Sequence, residues 1–245
     1  MTRLLYYDAV EGAYLRDFRA RVVAAGQGWV ELDQTAFHVE GGGQATDTGA
    51  LRSPAGAARV LAVKQDGAVV KHLLDPAAAP LAVGAEVEGR IDWDRRFELM
   101  RGHTSGHLVA KAVWSLLNAK CVGNSIDVGK LRIDVRPARL TPDDLKRIED
   151  EVNQAIARDR AVRVRMLDRA RLQEGEAGAR GLLELSPPGD TLRAIEINEY
   201  DLCPCSGTHV AGTREVGGVK LQKRESKGQQ TDRITYQLAA NPDPS

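Results

Sequence analysis

Apolar and polar positions alternate in short runs through the first 93 residues, and a helical period takes over after them. Arg21-Val22-Val23 and Gly28-Trp29-Val30-Glu31-Leu32 are two such runs with a glycine break between them. Arg59-Val60-Leu61-Ala62-Val63 and Ala68-Val69-Val70-Lys71-His72-Leu73 flank Gln65-Asp66-Gly67, a hairpin-type turn signal. Val87 to Trp93 alternates as well, Asp75 to Pro80 reads as a loop within the block, and His72 reads as a surface residue of its strand. Many short strands with Gly-rich turns predict a small antiparallel β-barrel.

Asp92-Trp93-Asp94-Arg95-Arg96 marks the junction. Beyond it, Phe97, Met100, Leu108, Val109, Val113 and Leu116 predict a helix from Phe97 to Leu117. Cys121 to Gly129 reads as a turn-rich passage, and Leu131, Ile133 and Val135 alternate as a strand. Thr141-Pro142-Asp143-Asp144 is a helix start, with a capping threonine, a proline in the first turn and acids against the dipole. Leu145, Ile148, Val152 and Ile156 give that helix its apolar stripe, and it ends near Arg158. Val162, Val164 and Met166 predict a strand, Leu167 to Gly178 a short helix, Pro187-Pro188-Gly189 a turn, and Leu192 to Ile197 a strand leading into a cysteine-bearing loop. The expected fold class is α+β: a small antiparallel β-barrel over 1–93, then a two-layer α+β domain over 94–245.

Two short stretches carry candidate chemistry. His103 and His107 stand one turn apart on the predicted helix, so both imidazoles can aim at one point. Cys205 and His209 repeat that spacing in the loop. Three imidazoles and a thiolate form a borderline ligand set that suits Zn²⁺. Either pair alone is commonly a set of ordinary core or surface residues; together they use three of five histidines and one of three cysteines. Thr104 stands where a zincin protease would have its general-base glutamate, so that chemistry is not indicated. Cys203 is an alternative sulfur ligand, and Cys121 reads as a core thiol. Gly41-Gly42-Gly43 is either a plain flexible turn or backbone able to approach a ligand closely.

Composition narrows the classes. Lys plus Arg equals Asp plus Glu, 34 of each in 245 residues, so any RNA contact rests on a local patch rather than on net charge. Aromatics make up 4%, which gives no evident base-stacking platform. Three cysteines without a secretory leader point to a reducing, cytoplasmic setting rather than a disulfide scaffold. No apolar run approaches the roughly 20 residues of a membrane span.

The letters between the ligands extend this reading. Arg101-x-His103-Thr104-x-x-His107 followed by Cys205-Ser206-Gly207-Thr208-His209-Val210 resembles the editing domain of alanyl-tRNA synthetases and the free-standing alanyl-tRNA editing (AlaX) proteins, where the second motif usually reads CGGTHV. Glu40-Gly41-Gly42-Gly43-Gln44 with Asp47-Thr48-Gly49 is similar to the signature of the longer members. Leu131 to Val135 resembles the strand the synthetases write LRFDF, and Gly217 to Tyr236 resembles their closing hairpin. The resemblance implies a barrel like that of translation elongation factors, followed by a zinc-containing editing domain. It implies hydrolysis of the ester joining serine or glycine to the 3′ end of tRNA(Ala).

Site roles follow from it. His103, His107, Cys205 and His209 are the expected Zn²⁺ ligands, with Zn²⁺ either catalytic or only ordering the pocket. Thr104 and Thr208 are expected to bond the substrate, to steady the ligands, or merely to cap the local backbone. Gln44 is expected at the acylated ribose, with Gly42 and Gly43 near the substrate. Asn124 or Ser125 falls where relatives keep a small hydroxyl residue that senses serine. Lys220, Lys223, Arg224, Lys227 and Arg233 form a basic cluster, of which Lys227 and Arg233 are the expected phosphate contacts. Three positions depart from the pattern: His38-Val39 replaces the usual Tyr-Pro, with His38 either a spectator or a substrate contact; Cys203 replaces a non-thiol residue; and Ser206 replaces the first glycine of CGGTHV, which puts substrate preference in doubt.

The expected partner is the acceptor end of tRNA(Ala), with neither a membrane nor an obligate protein partner. No aminoacylation domain fits beside these two domains, so action in trans is expected. Two rivals stand: a non-catalytic zinc-ordered RNA-binding module, and a deacylase for another aminoacyl-tRNA. Threonyl-tRNA synthetase editing domains share the ligand spacings, but the GGGQ-bearing barrel argues against that group.

Overall fold

Strands dominate both ends of the chain and helices its middle. The computed structural model describes residues 1–239, apart from 55, 176, 178, 179, 181, 184, 185, 187 and 229. In chain order the elements are β1 (Arg3–Leu4), β2 (Asp17–Gly26), β3 (Trp29–Leu32), β4 (Gln34–Thr35), β5 (Gly49–Ser53), β6 (Gly56–Asp66), β7 (Val69–Leu74) and β8 (Glu86–Ile91). Then come α1 (Trp93–Leu117), β9 (Lys120–Asp127), β10 (Lys130–Arg136), α2 (Pro142–Ala157), β11 (Val162–Asp168), α3 (Arg169–Glu174), β12 (Thr191–Ile197), β13 (Asp201–Pro204), β14 (Val219–Ser226) and β15 (Asp232–Leu238). Contacts divide the chain into two units, Met1–Glu98 and Leu99–Ser245, the division falling inside α1. No helix among the described residues is long and apolar enough to cross a membrane.

The first unit is the expected barrel. Six strands close it in the order β2-β3-β7-β6-β5-β8, each antiparallel to its neighbours. Alternation supplies the core: Phe18, Ala20 and Val22 of β2 point inward with Val30, Leu32, Leu51, Val60, Val63, Val87 and Ile91. Gly89 is required at its place, because a Cβ there would lie 2.3 Å from the Phe18 ring. Gly67, with φ +59°, closes the β6–β7 hairpin where the sequence signalled it.

A buried charge pair fixes the loop that carries the glycine triplet. Arg96 is fully buried and donates to both oxygens of Asp47 and to the carbonyls of Ala13 (2.7 Å) and Ala36 (2.6 Å). Asp47 also accepts from the His38 N–H at 2.6 Å. Gly41 and Gln44 pair across a tight turn whose central residues, Gly42 (φ 62°) and Gly43 (φ 81°), occupy the left-handed region that glycine tolerates.

His72 corrects an expectation. It is a core residue, its Nε2 2.9 Å from Thr35 Oγ1 and its Nδ1 3.3 Å from the Val30 carbonyl. The alternation of β7 turns it inward with Val70, and its two ring nitrogens find partners there, which makes an imidazole acceptable in the core.

In the second unit, β14-β15-β10-β9 form one antiparallel sheet and β11-β12-β13 another. Every residue of α1 from Leu99 to Ala110 is buried, polar ones included. Small residues let it lie on the first sheet: a Cβ at Gly102 would come within 2.8 Å of Leu131, and one at Gly106 within 3.3 Å of the Tyr236 hydroxyl. Arg101 bonds the carbonyls of Val216 (2.9 Å) and Ala239 (2.8 Å). Thr141 caps α2 in a capping box with Asp144, and Ile148, Val152, Ala155 and Ile156 face inward. Asn153 on α2 bonds both the N–H and the carbonyl of Val219 on β14, at 2.9 Å each.

Three expectations change here. The passage after Cys121 is strand β9, not turn: its Gly, Asn and Ser look like turn residues, but each pairs with β10 while Ile126 packs inward. The short helix is α3 alone, and Gly178, where it was expected to end, lies outside the described residues, as does Pro187 of the expected turn. Strand β13 stands between β12 and the cysteine loop and carries Cys203.

Burial pushes the His72 pKa down to about 4, against 6.5 for a free imidazole. The unfolded chain therefore binds the extra proton between those values, and stability is present above pH 6.5 and lost as pH falls toward 4. Chemical denaturation across that range is expected to show a loss that His72→Gln removes, of about 3 kcal/mol at most.

Candidate metal centre

Two supports bring the candidate ligands together. Helix α1 holds His103 and His107 with ring centroids 5.4 Å apart. The Cys205 loop is tied to β12 by Cys205 N–H to Arg193 O (3.1 Å) and Arg193 Nη1 to Cys205 O (2.6 Å). The His209 ring then stands 4.4 Å from that of His103 and 4.7 Å from that of His107. Donor atoms of His103, His107, Cys205 and His209 all lie within 4.8 Å of one another. A tetrahedral ion with nitrogen at about 2.0–2.1 Å and sulfur at about 2.3 Å needs donors about 3.3–3.6 Å apart. Cys205 Sγ is 3.4 Å from His103 Nε2 and 3.3 Å from His209 Nε2, so these three donors fit such an ion, with His107 within 4.8 Å of them.

Neighbouring groups orient the rings. Thr104 Oγ1 is 3.1 Å from His209 Nδ1, which leaves Nε2 toward the cluster; the same hydroxyl accepts from the Val210 N–H at 3.3 Å. His107 Nδ1 lies 3.5 Å from Asp201 Oδ2, and Arg180 bonds the other oxygen of that carboxylate. Burial alone would lower the His107 pKa, but the contacts to Asp201 and Cys205 outweigh it and raise it to about 9. Burial likewise opposes a charged Cys205, yet the facing His103 and His209 hold its thiol well below the ordinary range. Burial, and then the neighbouring His103, push the His209 pKa well below the ordinary imidazole range. Burial, reinforced by Asp201 and Cys205, pushes Cys203 well above the ordinary range. Of the two sulfurs, Cys205 is therefore the one more easily deprotonated.

The other expected residues fall in several places. Thr104 and Thr208 are buried beside the cluster ligands. Asn124, exposed, and Ser125, half-buried, are successive residues of β9 and point to opposite faces; Asn124 shares the face of Ile126. Gly42, Gly43 and Gln44 belong to the first unit, Gln44 buried in its turn. The five basic residues all have acidic partners: Lys220 with Glu149, Lys223 and Lys227 with Glu225, Arg224 with Asp232, and Arg233 with Asp134 through two bonds of 2.7 and 2.8 Å. Cys121 is half-buried, its thiol donating to the Gly123 carbonyl at 3.4 Å.

Sequence reasoning missed Asp201 and Arg180. A signal for Asp201 existed, since alternation along Asp201-Leu202-Cys203 puts Asp201 and Cys203 on one side of β13. Arg180 gave none, because its contact to Asp201 depends on how the segment after α3 folds back.

Comparison with known proteins adds the following. Residues 5–95 match the family described as tRNA synthetases class II (A), and residues 192–235 match the Threonyl and Alanyl tRNA synthetase second additional domain. The alanine–tRNA ligase of Pyrobaculum neutrophilum is 38% identical over 234 residues, which is 91% of this chain and 25% of the ligase. That of Pyrococcus abyssi is 34% identical over 238 residues, 96% of this chain and 26% of the ligase. That of Ignicoccus hospitalis is 36% identical over 227 residues, 90% and 24% respectively. The chain spans about a quarter of the length of these relatives.

Titration of the metal-free protein with Co²⁺ is expected to give a sulfur-to-metal absorption band. Cys205→Ala should abolish the band, whereas Cys203→Ala should leave both band and affinity nearly unchanged; the reverse pattern would assign the sulfur ligand to Cys203.

Proposed function

We propose that this chain, an AlaX-like relative of the editing domain of alanyl-tRNA synthetases, hydrolyses the ester that joins a wrong amino acid to the 3′ end of tRNA(Ala). The observation that carries the reading is the convergence of three imidazoles and one cysteine sulfur, from two distant segments, with donor atoms all within 4.8 Å of one another. Serine and glycine are the proposed misacylated residues, and the acceptor end of tRNA(Ala), presented in trans, is the proposed partner.

The need for such a site is physical. An aminoacylation pocket separates alanine from glycine by a single methyl group, worth only about 1–3 kcal/mol, and rejects an added hydroxyl poorly. A second, hydrolytic site adds a further selection on the same bond.

In this reading His103, His107, Cys205 and His209 hold Zn²⁺. Bound there, Zn²⁺ supplies a Lewis acid that can polarise the ester carbonyl or acidify a water. Thr104 keeps His209 turned with Nε2 inward through its contact to Nδ1. The Gly207 N–H, 3.4 Å from Cys205 Sγ, offsets charge on the sulfur. Thr208, buried next to His209, is assigned to substrate contact. Either Asn124, exposed on β9, or its neighbour Ser125 on the opposite face is assigned to the amino-acid side chain. Gln44, Gly42 and Gly43 are assigned to contacts made by the first unit. Lys227 and Arg233 are assigned to phosphate, at the expense of their present acidic partners.

One observation favours a second reading. Four protein donors normally mark a closed structural site, whereas a catalytic ion keeps one position open. A zinc-ordered RNA-binding module without turnover would satisfy that count.

Incubation with seryl-, glycyl- and alanyl-tRNA(Ala), with and without a chelator, separates the readings. Hydrolysis of seryl-tRNA is expected to exceed that of alanyl-tRNA by at least about tenfold and to fall on chelation or in Cys205→Ala. Equal hydrolysis of alanyl- and seryl-tRNA would reject editing, and binding of both without turnover would establish the second reading.

A further inference from the structure

We propose that Asp201 and Arg180 are positioning residues of the metal centre: Asp201 holds the His107 imidazole with Nε2 turned toward the ion, and Arg180 holds Asp201 there. This rests on reading the His/Cys cluster as a metal site. A helix fixes where His107 starts, but not which ring nitrogen faces the cluster. His209 has Thr104 to settle that choice. For His107 the group in place is the Asp201 carboxylate, carried on β13 with Oδ2 3.5 Å from Nδ1. Carboxylate–histidine–metal arrangements of this kind set tautomer, ring orientation and ligand basicity.

A carboxylate this deeply buried, with its side chain 1% exposed, requires a countercharge. Arg180, 4% exposed, bonds the oxygen that does not face His107. Arg180 in turn lies in a segment anchored by an apolar cluster in which Leu172, Ala177 and Leu183 pack on Leu192 and Ala194 of β12. That small core thereby bears on a metal ligand two contacts away. His107, Asp201 and Cys203 also group closely enough to suggest a second cation site. The guanidinium on Asp201 opposes a cation there, so the carboxylate is assigned to His107 instead.

Zinc affinity, measured by chelator competition without RNA, tests the pair. Asp201→Asn is expected to weaken zinc binding by about 10–100-fold and to alter the Co²⁺ absorption spectrum. Arg180→Met should act in the same direction, and the double variant should be little worse than Asp201→Asn alone, because the two act in series. A folded Asp201→Asn protein with parental zinc affinity and cobalt spectrum would overturn the assignment, as would additive losses in the double variant. Should Asp201→Asn fail to fold, Arg180→Lys decides, because it keeps the charge but not the fork; a weakened zinc affinity supports the assignment and an unchanged one overturns it. A parent protein that binds no zinc would overturn the metal centre and the positioning pair together.

Discussion

Four polar side chains can share one small space in a protein interior only if the backbone holds them there, and the second unit is built to that requirement. Helix α1 contributes His103 and His107 at the spacing of one turn, and the β12–β13 hairpin contributes Cys205 and His209 through a loop pinned at Arg193. These groups set one another's acidity: against burial in both cases, the contacts to Asp201 and Cys205 raise the His107 pKa, and the facing His103 and His209 lower that of Cys205.

The first unit uses a buried charge differently. Arg96 and Asp47 satisfy carbonyls at Ala13 and Ala36 and the His38 N–H, and so fix the loop from Ala36 to Asp47. The Asp-Thr-Gly part of the signature therefore has a structural cause. Asp47 takes the arginine, and Gly49 leaves room for the Phe37 ring, which a Cβ would meet at 2.7 Å.

Much of this was legible in the sequence because it depends on local spacing. Period-two alternation gave the barrel strands, and the Thr141 cap gave α2. The two short ligand motifs gave the cluster, since a helix turn converts four residues into a shared face. What escaped depends on contacts between distant segments. His72 sits on an alternating strand, and nothing local says which face is inward until Thr35 and Val30 are seen around it. β9 is written in turn-type residues and becomes a strand through pairing with β10. The basic hairpin looks like an open patch in sequence, yet Glu149 of α2 and Asp134 of β10 neutralise part of it from other elements, and Glu225 and Asp232 from within the hairpin. Arg180 and Asp201 meet only after the segment beyond α3 folds onto β12.

Asn153 on α2 has an effect beyond packing. β14 ends its sheet, and a terminal strand normally offers a row of open amide and carbonyl groups on which another chain could crystallise into a ribbon. The Asn153 amide imitates one peptide unit at Val219, and Glu149 takes the next free N–H, at Leu221. A helix thus performs the sealing that a fifth strand would otherwise perform, and the start of β14 is closed to unwanted self-association.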